Sequence, residues 1–89
     1  MLTDELTPQE KELLTITMEE CSELAMACSK ILRFGKREEN LENLLAESAD
    51  VTVMINLLSD FELINSIKKL GRMFEKRDRL AEYSSLFDN

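Results

Sequence analysis

At 89 residues with one proline and two glycines, the chain makes one domain at most, and a chain this short buries only a modest share of its surface. Eighteen acidic against eleven basic residues leave a formal charge of −7, which repels nucleic-acid backbones and anionic membranes and argues against either as a partner. A small phosphorylated ligand stays compatible with that charge, because a divalent cation and a few local basic side chains neutralise it.

The opening Met1-Leu2-Thr3-Asp4-Glu5 lacks the basic-then-apolar order of a secretory signal. The longest apolar run, Val51 to Leu58, is interrupted by Thr52 and Asn56 and is too short for a membrane span. A cytoplasmic protein is the expectation. Thr7-Pro8-Gln9-Glu10 then joins a capping threonine, a proline at the first helical position and a glutamate three residues after the cap. A helix is predicted from Pro8, with an apolar stripe through Leu13, Ile16, Leu24, Ala27 and Ile31, ending at Arg33 or Phe34 before the terminator Gly35. Cys21 and Cys28 are seven residues apart on this helix, roughly 10 Å along its axis, too far to pair within the chain. They read as free, core-facing thiols of a reducing compartment.

Lys36-Arg37-Glu38-Glu39 reads as a charged connector, and Asn40 as the cap of a second helix through Leu41, Leu44, Leu45, Val51, Met54, Ile55 and Leu58, closing at Ser59-Asp60. A third helix is predicted from about Phe61 to Tyr83. Ile64, Ile67, Leu70, Phe74 and Ala81 lie on one side of it and many Lys and Arg on the other, with Gly71 a local weakness. Nothing reads as a sheet, a repeat or a low-complexity tract. The predicted fold is all-α: one domain over 1–89, an antiparallel helical hairpin plus a third helix. Helices this apolar call for a second copy to cover them.

Two acidic clusters carry the chemistry. Glu19-Glu20-Cys21-Ser22-Glu23 and Glu47-Ser48-Ala49-Asp50 each place carboxylates three residues apart, so Glu20 shares a helix face with Glu23, and Glu47 with Asp50. Either pair alone is commonplace in a chain that is one fifth acidic, and a solvated face is its ordinary reading. Two pairs in phase with the apolar stripes are less ordinary, since an ionised carboxylate does not enter a core unaccompanied. Four carboxylates and no histidine make an oxygen-only donor set, suited to Mg²⁺, Mn²⁺ or Ca²⁺ rather than zinc or copper. The reading is a magnesium site. Lys30, seven residues after Glu23, falls two turns along the same face, where an ammonium reaches an outlying phosphate, although a snorkelling lysine near a helix end is the plainer account. Met18, Met26, Met54, Met73, Phe34 and Phe74 read as core filler.

Glu19-Glu20-x-x-Glu23, twenty-three intervening residues, then Glu47-x-x-Asp50 resembles the signature of the MazG-type all-α nucleoside triphosphate pyrophosphohydrolases. The run Ala27 to Gly35 also resembles the close of the first long helix in short members of that family, and the likeness covers roughly Met18 to Val53. It implies Mg²⁺, with Mn²⁺ as a substitute, held by Glu20, Glu23, Glu47 and Asp50. The implied reaction cleaves a nucleoside triphosphate between its α and β phosphates, giving a nucleoside monophosphate and pyrophosphate. With no histidine in the chain, the water's proton goes to a carboxylate of Glu19, Glu20 or Glu23. Lys30, Arg33, Lys68 and Arg72 are the phosphate-binding candidates. Two departures stand out: Arg72 takes the place of the family's asparagine, and Ala46 that of a glutamate common in relatives. The family also implies a homodimer or homotetramer whose helices complete a four-helix core. The competing reading is a catalytically silent acidic helical module that binds a basic partner surface or a structural cation.

Overall fold

Three helices, α1 (Pro8–Phe34), α2 (Glu38–Asp60) and α3 (Ser66–Tyr83), account for the computed structural model, which describes residues 4–88. No strand occurs among the described residues. The first three residues, part of the stretch read above against a secretory signal, lie outside them.

α1 starts where its capping signal places it. The Thr7 hydroxyl accepts from the Glu10 N–H at 3.1 Å, and the Glu10 carboxylate accepts from the Thr7 N–H at 2.8 Å, so two otherwise orphaned donors are satisfied. At the far end the Gly35 N–H donates to the Ile31 carbonyl at 2.8 Å. Gly35 itself adopts φ +86°, ψ −176°, a conformation essentially confined to glycine.

The start of α2 differs from expectation. Its cap position is Arg37, and the helix begins at Glu38 rather than after Asn40. Glu38 and Glu39 put negative charge in the first turn, where the helix dipole favours it. The Asn40 carboxamide instead donates across the loop to the Gly35 carbonyl at 3.4 Å. The third helix is also shorter than predicted. Residues 61–65 form an ordered link: Leu63 and Ile64 N–H groups both donate to the Leu58 carbonyl, and Glu62 takes φ +59°. The Asn65 carboxamide oxygen accepts from the N–H groups of Ile67 and Lys68, both at 3.0 Å, and so starts α3 at Ser66. Asn65, four residues past the predicted start, carried the stronger capping chemistry.

The three-residue loop between α1 and α2 folds them back on one another as an antiparallel hairpin, the one extensive helix pairing among the described residues. Leu13 and Ala27 from α1 and Val51 and Met54 from α2 are its buried residues. α3 buries none and extends beyond the hairpin, which spreads the chain over 52 × 31 × 16 Å. Cys21 and Cys28 are unpaired and exposed, not core-facing, because they lie on the side of α1 turned away from α2.

Candidate metal centre

The hairpin brings the two acidic clusters together. Glu20 and Glu47 sit half-buried along the α1/α2 seam, Glu20 two helical turns before the core residue Ala27 and Glu47 one turn before Val51, each in phase with it, while Glu23 and Asp50 lie at its exposed edge. One carboxylate oxygen from each of Glu20, Glu23 and Glu47 lies within 4.8 Å of the other two. Asp50, the fourth expected ligand, stands outside that tight group but close enough for its charge to act on both Glu20 and Glu47.

Electrostatics follow from this crowding. Burial, and after it the charges of Glu23, Asp50 and Glu19, push the Glu20 carboxyl above the ordinary carboxylate range. Glu47 is raised as well, first by burial, then by the hydrogen-bonding approach and charge of Glu23, then by Asp50 and Glu20. One oxygen of Glu20 and one of Glu47, both Oε2, are shut off from solvent and have no hydrogen-bond partner. A buried acceptor without a donor is costly. Carboxylate oxygens from two helices, close together and without donors, match what a hard divalent cation requires.

The other candidates divide. Glu19 is exposed beside Glu20 and acts on it through its charge. Lys30 is brought to the site: with Glu23, Met26, Asn43 and Glu47 it lines an open groove of about 370 Å³ on the Gly35 side of the carboxylates. Asn43 was missed by sequence reasoning. Its position four residues before Glu47, on the same helix face, is the signal that would have found it. Arg33 is directed elsewhere, its guanidinium 5.3 Å from the Phe34 ring centroid. Lys68 and Arg72 stand on α3, apart from the hairpin seam, and Arg72 pairs with Glu75 at 3.3 Å. Within one chain, therefore, Lys30 alone of the four basic candidates shares a groove with the carboxylates. On the opposite side of the cluster a second groove, about 210 Å³, is mainly apolar and lined by Leu13, Ile16, Met54, Leu57 and Phe61 with Gln9 and Glu12 at its rim.

No protein-family model, curated protein or solved structure matches the chain. No helix among the described residues is long and apolar enough to cross a membrane.

Proposed function

We propose that the chain is a Mg²⁺-dependent nucleoside triphosphate pyrophosphohydrolase of the MazG type. The observation that carries this reading is the meeting of Glu20, Glu23 and Glu47 from two helices, with Asp50 alongside and two solvent-shielded oxygens lacking donors. The spacing of the two acidic motifs supports it, as does Lys30 in the groove beside them. Two copies of the hairpin would complete a four-helix core around this centre.

Glu20, Glu23 and Glu47, completed by Asp50, would hold the metal. Bound there, Mg²⁺ supplies charge neutralisation for phosphate oxygens and lowers the pKa of water. The chain's own groups do the rest. Lys30 and the Asn43 carboxamide face an anion placed in the groove next to Glu23 and Glu47 and fix its position. Water adds to the α phosphorus, the anhydride bond to the β phosphate breaks, pyrophosphate leaves, and the water's proton passes to a carboxylate of Glu19, Glu20 or Glu23. The apolar groove beyond Ile16 and Met54 offers space for a planar base.

The test is pyrophosphate release from canonical and modified nucleoside triphosphates with Mg²⁺ or Mn²⁺. Glu20→Gln and Asp50→Asn are expected to lower turnover by roughly 100-fold or more, the loss of several kcal/mol of charge stabilisation. Absence of cleavage for every nucleotide, with or without divalent ions, overturns the proposal and favours the silent acidic module.

A further inference from the structure

The apolar groove has a polar rim that restricts its occupant. Gln9, Glu12, Leu13 and Ile16 follow one another on the face of α1 that leads to Glu20, and Met54 and Phe61 do the same on α2 beyond Asp50. Glu12 is eight residues before Glu20, about 12 Å along the helix axis. Lys30 is ten residues after Glu20, on the far side of the carboxylates. Apolar groove, carboxylates and Lys30 groove therefore run in one line along the seam, the order of base, α phosphate and terminal phosphates in a nucleoside triphosphate. At about 210 Å³ the groove is smaller than the roughly 300–1,000 Å³ of a pocket for a whole ligand. That is room for one flat part of a longer molecule, and Phe61 supplies an aromatic ring for it to stack on.

The rim chemistry selects among bases. Glu12 and Gln9 are both exposed and so open to a ligand. An ionised carboxylate offers acceptor oxygens and no donor, whereas a carboxamide offers both. Among the common bases only guanine sets two donors side by side, its ring N1–H and its 2-amino group, with the O6 acceptor next to them. The Glu12 carboxylate can accept from both donors at once while the Gln9 carboxamide donates to O6. Adenine and cytosine each set a ring-nitrogen lone pair beside the amino group, and uracil and thymine flank a single N–H with two carbonyls. Each of these would press an acceptor against Glu12.

We infer that the groove takes guanine, its hydrogen-bonding edge read by Glu12 and Gln9 and its face by Phe61, so that the substrate is a guanosine or deoxyguanosine triphosphate. The inference rests on the pyrophosphohydrolase reading for the direction in which the nucleotide lies. Selectivity comes from pairing the acceptors of Glu12, since a site built to hydrogen-bond a substrate rejects analogues that lack the matching group.

Steady-state cleavage of GTP, ITP, ATP, CTP and UTP and their deoxy forms with Mg²⁺ tests it, together with calorimetric binding of the matching monophosphates. kcat/KM for the guanine nucleotide is expected to exceed those for adenine, cytosine and uracil by roughly 10- to 100-fold, the discrimination of a good bidentate contact to a base. ITP, which keeps the N1–H and lacks the 2-amino group, should fall between. GMP should bind more tightly than AMP, CMP and UMP by a similar margin. Glu12→Ala should remove the guanine advantage, mainly through KM, with helix content followed by circular dichroism. A preference for another base, no preference in cleavage or in binding, equal use of GTP and ITP, or a guanine advantage that survives Glu12→Ala overturns the inference. Equal cleavage of every nucleotide overturns it and leaves the pyrophosphohydrolase reading standing, whereas selective GMP binding without cleavage of any triphosphate supports the guanine site and overturns that reading. Should Glu12→Ala lose its helices, the GTP-to-ITP ratio of the unaltered protein decides.

Discussion

Glu20 and Glu47 carry a conflict between burial and ionisation that a bound cation would resolve. Each has a carboxyl raised above its ordinary range by burial and by neighbouring carboxylates, so ionisation costs more in the folded chain than in the unfolded one. The folded state then holds more protons than the unfolded state over the pH interval between the ordinary glutamate value and the raised one. Stability contributed by these groups is present below that interval and lost as pH rises through it. The apo protein is accordingly expected to melt at higher temperature at mildly acidic than at neutral pH. Mg²⁺ or Mn²⁺ should restore the loss at neutral pH, since anything bound only by the folded state stabilises it. Glu47→Gln should raise the neutral-pH melting temperature of the apo protein and abolish the divalent-dependent rise. Thermal melts with and without metal check both, and a Glu47→Gln protein still stabilised by Mn²⁺ would remove Glu47 from the ligand set. The acids themselves, their phase and their oxygen-only character were legible in the chain. The exposure of Cys21 and Cys28 was not, because apolar residues lie on more than one side of α1 and helix phase alone does not say which side turns to α2.

At the level of elements, local chemistry fixed boundaries wherever it was strong. The Thr7/Glu10 box and Gly35 set both ends of α1 where the sequence predicted them. Gly35→Ala tests the second of these cleanly. A methyl group added there meets nothing within 4 Å, so any cost is backbone conformation alone. At φ +86° that cost is about 1–3 kcal/mol, measurable by urea denaturation. Boundaries failed where capping chemistry did not decide them. Arg37 holds the cap position of α2 with no side-chain hydrogen bond, and Asn40, the residue able to cap, lies inside the helix and donates back to the Gly35 carbonyl. Phe61 to Asn65 has apolar residues in helical phase, yet the Asn65 side chain and the Leu58 carbonyl hold the backbone in a turn.

At the scale of the molecule, the four buried residues among those described are few for three helices of this length. A chain so lightly cored should gain much of its stability from association, and its melting temperature is therefore expected to rise with chain concentration. Differential scanning calorimetry over a concentration series reads this directly; a melting temperature independent of concentration would mean that the hairpin is stable alone.

Composition, periodicity and capping residues by themselves determined that the chain is helical, where α1 runs, and which carboxylates lie in phase on each of two helices, because those properties depend on neighbours within a turn or two. Only the tertiary structure decided that Glu20 and Glu23 meet Glu47 across the seam, that Asn43 joins Lys30 beside them, and that Lys68 and Arg72 stand on a helix away from the site. The reason is geometric: helix phase tells which residues share a face, while the partner of that face is chosen by loop length and packing between segments far apart in the chain.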